Sequence, residues 1–118
     1  MKIGSIKEDL TYEKRISITP ESAKSLIGLG LKICIEKNYA THLGIEDKDY
    51  EVLGVEIKQK PEEVLKSSDL VIKINCPNNT EINNLKENTN LVGFLNVTKN
   101  KKEINDILSK KINIFSLE

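Results

Sequence analysis

Short apolar runs rich in β-branched residues alternate with helical patterns along the chain, and this alternation constrains the fold more than any other feature. The β-rich runs lie at 2–6, 31–37, 55–59, 69–75, 91–97 and 112–117. Helical patterns lie between them, at 18–30, 46–54, 60–68, 80–88 and 100–111. Such alternation is typical of a mainly parallel sheet with helices on both faces. The sequence therefore predicts a single α/β domain that spans residues 1–118.

The clearest helix start is Thr19-Pro20-Glu21. Thr19 fits the N-cap position and Pro20 the first helical position, while Gly28 or Gly30 would end the helix. These two glycines do not fit a dinucleotide-binding turn, because phosphate-binding glycines follow a strand and open a helix. Here they close a helix and precede a strand, so we interpret them as a helix end.

Composition excludes several classes of function. The chain has 118 residues, with 18 basic and 18 acidic side chains and a formal net charge of zero, so no positive surplus favours nucleic acid. No apolar run approaches the roughly 20 residues that cross a bilayer. Lys7, Glu8 and Asp9 interrupt the N-terminus too early for a secretion signal. We therefore expect a cytoplasmic protein that neither binds nucleic acid nor inserts into a membrane.

The sulfur and imidazole side chains offer no metal or redox site. Cys34 and Cys76 form neither a CxxC motif nor a Cys/His cluster, so we expect both thiols to be reduced and Cys34 to lie in the core. The only histidine, His42, stands in a polar loop without ligand or nucleophile partners. This context predicts an ordinary surface histidine and no metal site.

Two charged residues allow a structural or a functional interpretation. Lys73 stands between Ile72 and Ile74 in the most apolar run, where a charge is costly unless it is paired. It lies either on an edge or exposed face of the sheet, or near the carboxyl end of a strand where α/β proteins bind ligands. Arg15 ends a run of three charges just before a helix. It is either solvated or held at the mouth of a site.

Several segments, taken in chain order, carry a family resemblance: KED, YEKRISITPESAKSLIGLGLKICIEK, D..Y...GVEI, SSDLVIKINCP, EINNLK and INIFSLE. They resemble the N-terminal domain shared by alanine dehydrogenases and the alpha subunit of proton-translocating NAD(P) transhydrogenase. The resemblance covers essentially the whole chain, and KIN-x-P and FSLE look more like the transhydrogenase branch. It implies a flavodoxin- or Rossmann-like α/β domain that packs against a separate Rossmann domain, with NAD(H) in the cleft between them.

The resemblance also implies roles for three positions. Arg15 matches an arginine that binds the substrate carboxylate in alanine dehydrogenases, and Lys73 matches a lysine that reaches the substrate in the same pocket. Asn96 stands where those enzymes have a general acid/base histidine, and an amide cannot shuttle that proton. The resemblance therefore implies ligand contacts for Arg15 and Lys73, no catalytic residue in this chain, and a transhydrogenase rather than an alanine dehydrogenase.

Two departures from the family pattern bear on the expected activity. Asn38-Tyr39-Ala40 replaces a Gly-Ala-Gly turn, and the sequence stops before the family's nicotinamide loop and its NAD-binding Rossmann domain. We therefore expect neither activity nor tightly bound nucleotide in the chain alone. A partner chain would supply the Rossmann domain and help to hold NAD(H), and another subunit would hold NADP(H).

The expected complex includes membrane subunits that couple hydride transfer to proton translocation, which would place this chain peripherally at the inner membrane. Three alternatives remain open: a non-catalytic interaction module, a relic of a split gene, and a fragment of an alanine dehydrogenase. The final strand, if exposed, could also pair with its copy in a homodimer.

Overall fold

The computed structural model describes residues 1–117, in which six parallel strands form one sheet. The strands are β1 (Lys2–Ser5), β2 (Lys32–Glu36), β3 (Glu56–Lys58), β4 (Leu70–Ile72), β5 (Asn90–Gly93) and β6 (Asn113–Ser116). The helices are α1 (Pro20–Gly28), α2 (Asp47–Glu51), α3 (Pro61–Ser67), α4 (Asn79–Asn84) and α5 (Lys101–Ser109), with a short 3₁₀ helix at Thr41–Leu43. This alternation confirms the predicted α/β class.

The spatial order of the strands is β3-β2-β1-β4-β5-β6. This is the order of dinucleotide-binding doubly wound sheets, so the expected Rossmann-like architecture is confirmed. Strand order reverses between β1 and β4, where the chain leaves the two strands in opposite directions. At such a point the connecting loops diverge and open a crevice beyond the carboxyl ends of the strands.

Helices cover both faces of the sheet, as the alternation predicts. One apolar cluster contains Ala23 of α1 and Tyr50 of α2, packed against side chains of β1 and β2. The other contains Val64 of α3, Ile82 of α4 and Ile107 of α5, packed against β4 and β5. Each face of a central strand is therefore buried, which explains why these strands read as nearly continuous apolar runs.

Helix α1 begins and ends at the residues that its sequence indicates. Thr19 is the N-cap: its Oγ1 accepts a hydrogen bond from Ser22 N at 3.1 Å, while Thr19 N donates to Ser22 Oγ at 2.9 Å. Pro20 is the first helical residue, and Gly30 follows the helix with a φ of 89°. The glycines thus close a helix, in agreement with the sequence analysis.

The turn after β2 is rebuilt around an asparagine. Asn38 adopts a left-handed φ of 61°, and its backbone N–H donates to both carboxylate oxygens of Asp47, at 2.9 and 3.0 Å. Asparagine tolerates this conformation better than other non-glycine residues. Tyr39 and Ala40 are then turned into the core, where they are 2% and 0% exposed. A Tyr-Ala pair therefore replaces small residues without leaving the turn unsatisfied.

Strand β4 is shorter than predicted, and Lys73 lies directly after it instead of inside it. Lys73 N still donates to Val92 O at 2.9 Å, but Ile74 N and Asn75 N donate to the carboxylate of Glu8, at 2.9 and 3.1 Å. The strand ends because a side chain takes the hydrogen bonds that a neighbouring strand would otherwise make. Since β4 is flanked by β1 and β5, the edge-strand interpretation of Lys73 is wrong.

No disulfide joins Cys34 and Cys76 within residues 1–117, and Cys34 is fully buried in the core as predicted. No helix within residues 1–117 combines the length and the apolar character needed to span a membrane.

Candidate functional site

A cavity of about 450 Å³ opens at the carboxyl ends of β1, β4 and β5. Three loops line it, and each follows one of these strands. The lining residues are Glu8, Asp9, Tyr12, Glu13, Lys73, Asn75, Cys76, Asn78, Glu81, Phe94, Asn96, Lys99 and Asn100. The cavity therefore lies at the crevice that the strand order creates, which is where open α/β sheets bind ligands.

A buried ion pair forms the floor of this cavity. Lys73 Nζ lies 2.9 Å from Glu8 Oε1, and the two side chains are 5% and 3% exposed. Glu8 also accepts the two backbone N–H groups of Ile74 and Asn75, so both of its oxygens are bonded. Within residues 1–117, Glu8 is the one hydrogen-bond acceptor recorded for the Lys73 ammonium, which has three N–H donors. Two donors remain for a group that enters the cavity.

A second ion pair lies at the rim of the cavity. Arg15 Nε and Nη2 donate to the two carboxylate oxygens of Glu13, at 2.8 and 2.9 Å, and Asn75 Nδ2 lies 3.4 Å from Glu13 Oε1. The Arg15 hydrogen bonds lower the pKa of Glu13 from 4.5 to about 2, against the opposing effect of burial. The side chain of Arg15 is 69% exposed, whereas that of Glu13 is 10% exposed.

The structure brings two of the three sequence-derived positions into the cavity and leaves one outside its lining. Lys73 and Asn96 both line the cavity, whereas Arg15 lies behind Glu13 and adjoins the rim through that carboxylate. Asn96 has a left-handed φ of 47°, and its carbonyl accepts the backbone N–H groups of Lys99 and Asn100 at 3.1 and 3.0 Å. Asn96 thus shapes the turn that leads from β5 towards α5.

His42 does not belong to the cavity. Its Nε2 lies 2.7 Å from the carbonyl oxygen of Lys14, and its Nδ1 is buried without a recorded partner in the described chain. The histidine is therefore half-buried at the surface, and its hydrogen bond to Lys14 anchors it there. Within residues 1–117 there is no group of three or more His, Cys, Asp or Glu side chains that could hold a metal ion.

Sequence reasoning misses the acidic partners of its own candidates. Glu8 and Asn75 help to organise the two ion pairs, yet neither stands out in the sequence, whereas Glu13 is noticeable only as part of the charged run before α1. A signal for Glu8 is present, because a lysine in a buried apolar run needs a carboxylate partner. Acidic residues that follow β1 share one edge of a parallel sheet with the end of β4, and Glu8 lies there.

Sequence comparison with protein families gives one match over nearly the whole chain. The family described as "Alanine dehydrogenase/PNT, N-terminal domain" matches residues 4–118. An NAD(P) transhydrogenase subunit alpha chain of Rickettsia prowazekii is 30% identical over 122 residues, which cover 100% of this chain and 32% of that protein. The alanine dehydrogenase of Methanococcus maripaludis is 31% identical, over 95% of this chain and 30% of the enzyme. The chain thus spans about a third of the length of these relatives.

Solved structures agree on the fold. The transhydrogenase from Sinorhizobium meliloti superposes with a TM-score of 0.91 at 22% identity, over 98% of this chain and 34% of that one. An L-alanine dehydrogenase gives a TM-score of 0.92, also at 22% identity, over 98% of this chain and 32% of the enzyme. At 22% identity these superpositions show that the chain shares the fold of both proteins, and they assign no role to the residues of the cavity.

Proposed function

The chain belongs to the family of N-terminal domains found in alanine dehydrogenases and NAD(P) transhydrogenases, and from this premise we propose that it forms one wall of a nicotinamide dinucleotide cleft. The cleft would be of the transhydrogenase alpha-subunit type, where hydride passes between NAD(H) and NADP(H). In this proposal the chain positions a ligand and shields it from water, while a Rossmann domain holds most of the NAD(H).

The observation that carries this proposal is the place of the Glu8–Lys73 pair. It lies at the strand-order reversal, beneath a cavity, with two ammonium donors that have no recorded acceptor in residues 1–117. Glu8 offsets the charge of Lys73, so the lysine can donate hydrogen bonds to a carbonyl or amide oxygen without holding an isolated charge in the core. A nicotinamide carboxamide or a small keto acid offers such an oxygen.

Asn96 favours the transhydrogenase alternative over an alanine dehydrogenase. Oxidation of an amino acid to a keto acid requires a group that takes up and releases protons near the substrate. Asn96 lines the cavity at the position that resemblance assigns to that group, and an amide does not titrate. Transfer of a hydride between two nicotinamide rings needs no such proton shuttle, so the residues present suit that reaction better.

A chimaera tests the proposed function. This chain replaces the aligned N-terminal region of the Rickettsia prowazekii subunit alpha chain, and the chimaera is expressed with the remaining subunits of that transhydrogenase. We expect hydride transfer from NADPH to a thionicotinamide analogue of NAD⁺, and no formation of NADH from L-alanine and NAD⁺. The isolated chain should show neither reaction, because it presents one wall of the cleft.

The parental transhydrogenase serves as the control for assembly and activity. A chimaera that assembles and melts like its parent, yet transfers no hydride, would contradict the transhydrogenase assignment. Formation of NADH that depends on alanine would instead favour the alanine dehydrogenase alternative. Assembly without either reaction would indicate a non-catalytic interaction module.

A further inference from the structure

We propose that Tyr39 and His42 are positioning residues that hold the loop between β1 and α1, and thereby set the geometry of the Glu13–Arg15 pair at the cavity rim. This loop, residues 6–19, is called the cavity loop below. This inference rests on the proposed function only in assuming that the cavity binds a ligand. The positioning itself concerns the chain alone and is tested without nucleotide.

The cavity loop contains no helix or strand, yet it supplies four of the residues that line the cavity. Besides its internal turns and the helix cap at Thr19, its backbone is bonded by side chains from the segment 36–50. The bonds join Lys7 N to Glu36 Oε1 at 2.9 Å, Lys14 O to His42 Nε2 at 2.7 Å, Ser17 N and Ile18 N to Tyr39 Oη at 3.1 Å each, and Ile18 O to Tyr50 Oη at 2.8 Å. The loop is therefore held on one side by this neighbouring segment, and on the other by the bonds of Glu8 and Glu13 to the residues after β4.

Tyr39 connects the cavity loop to two central strands. Its oxygen accepts the N–H groups of Ser17 and Ile18, so its own proton is left to donate to Ser5 Oγ, 2.8 Å away. Ser5 Oγ in turn donates to the carbonyl of Ile72 at 2.7 Å. Burial raises the pKa of Tyr39, so the hydroxyl keeps its proton at neutral pH. This relay links the loop to β1 and to the end of β4.

The ring of Tyr39 is fixed as firmly as its hydroxyl. Tyr39 is 2% exposed and meets the ring of Tyr50 edge to face, with centroids 5.9 Å apart and an interplanar angle of 82°. Edge-to-face pairs are a favoured aromatic arrangement. The packed ring therefore limits how far the hydroxyl can shift. If the loop moved, the N–H groups of Ser17 and Ile18 would lose the Tyr39 oxygen as their acceptor.

His42 acts at the peptide between the two charged residues. A carbonyl only accepts hydrogen bonds, so His42 Nε2 carries the proton that it donates to Lys14 O. Lys14 separates Glu13 from Arg15 in the chain, and Arg15 N also donates to Glu13 Oε2 at 3.1 Å. The bond to His42 therefore orients the backbone at Lys14. This backbone joins Glu13 to Arg15, so its orientation sets how the carboxylate and the guanidinium meet.

The first test compares two matched substitutions, Tyr39→Phe and Tyr50→Phe. Each removes one buried hydroxyl, but the Tyr50 hydroxyl donates to a loop carbonyl and accepts none of the loop's N–H groups. We expect Tyr39→Phe, but not Tyr50→Phe, to raise the pKa of Glu13 from about 2 towards its ordinary value of 4.5. The pKa is measured by carbon-13 NMR of the Glu13 carboxyl group. Amide exchange at Ser17 and Ile18 should accelerate about tenfold or more relative to Val71.

A Glu13 pKa that stays near 2 in Tyr39→Phe would overturn the proposal. An equal rise in both variants would also overturn it, because the Tyr39 hydroxyl would then hold the pair no more specifically than the Tyr50 hydroxyl, which bonds the same loop. Neither result bears on hydride transfer by the chimaera, so a failed positioning role and a failed proposed function give distinct outcomes.

His42 provides an independent pair of variants if Tyr39→Phe does not fold. His42→Gln keeps an amide donor close to the position of Nε2, whereas His42→Leu removes the donor at similar size. We expect the pKa of Glu13 to rise in His42→Leu and to remain low in His42→Gln. Equal pKa values for Glu13 in these two variants would show that the bond to Lys14 does not position the pair.

Discussion

At the scale of single residues, the Glu8 carboxylate is the centre of the candidate site. It accepts one ammonium N–H and two backbone N–H groups, which links the cavity loop to the end of β4. Burying a lysine and a glutamate is tolerated here because each compensates the charge of the other and both carboxylate oxygens accept hydrogen bonds. Loss of either partner would leave a nearly buried charge without its counterion.

The first prediction concerns this buried pair. Lys73→Met keeps the length of the side chain but removes its charge, so the buried Glu8 carboxyl group is left without a counterion. We expect the free energy of unfolding in urea to fall by about 3–5 kcal/mol. Glu8→Gln should cost less in the Lys73→Met background than in the native chain, with a coupling energy on the order of 1–3 kcal/mol.

An exposed pair of similar geometry serves as the control. Lys86 Nζ lies 2.7 Å from Asp69 Oδ1, but the two side chains are 42% and 45% exposed. Lys86→Met should therefore change the free energy of unfolding by less than about 1 kcal/mol. Similar losses in Lys73→Met and Lys86→Met would contradict the claim that burial gives the Glu8–Lys73 pair its importance.

The sequence predicts residue roles only in part. Lys73 stands out because a charge in an apolar run demands an explanation, and the structure gives that explanation in Glu8. Glu8 itself looks like ordinary polar surface in the sequence, since its partner lies 65 residues further along the chain. The role of Arg15 in ligand binding stays a prediction, because its hydrogen bonds within the described chain go to Glu13.

At the scale of elements, the close approach of β5 to the end of β4 holds Lys73 in place. Gly93 is the last residue of β5, and a Cβ added there would overlap the carbonyl oxygen of Lys73. The absence of a side chain thus lets the two backbones pack tightly beside the cavity. Phe94 N then donates to Ile74 O at 2.9 Å and continues the pairing beyond both strands.

The second prediction is that Gly93→Ala destabilises the protein through this contact. The new methyl group must displace backbone, not a flexible side chain, so we expect a loss of about 1–3 kcal/mol in the free energy of unfolding. Gly28→Ala is the matched control, because a Cβ there has nothing within 4 Å and Gly28 is the last residue of α1, without a left-handed φ. It should be neutral or stabilise by up to about 1 kcal/mol. A neutral Gly93→Ala would contradict the proposed tight contact.

Element types follow from the sequence because periodicity, caps and glycines agree with one another, as they do for α1. The ends of elements are harder to predict from the sequence where a side chain from a distant segment accepts hydrogen bonds from backbone N–H groups that could otherwise pair with a neighbouring strand. Glu8 ends β4 in this way, three residues before the predicted limit. The turn at 38–40 is recognisable in the sequence as a departure from the family pattern, but its solution by Asn38 and Asp47 requires coordinates.

At the scale of the whole molecule, strand order decides where chemistry can occur. The alternation of strands and helices predicts a parallel sheet, but it does not determine which strands are neighbours. The observed order puts β1 beside β4 and brings the cavity loop to Lys73. Among the described strands β6 pairs with β5 alone. Phe115 of β6 is 54% exposed, and Leu117, directly after this strand, is 57% exposed. Pairing of this edge with a second copy stays a prediction.

The most direct test of the central claim, that the cavity rim faces a bound nucleotide, is the effect of Arg15→Ala on hydride transfer by the chimaera. Glu13 occupies Nε and Nη2 of Arg15, so three of its five N–H donors remain for a ligand. Loss of a charged hydrogen bond should lower kcat/KM by about tenfold or more. Because Arg15 is 69% exposed, the melting temperature of the chimaera should change little. A kcat/KM equal to that of the unsubstituted chimaera, at the same melting temperature, would contradict a role for this rim in the cleft.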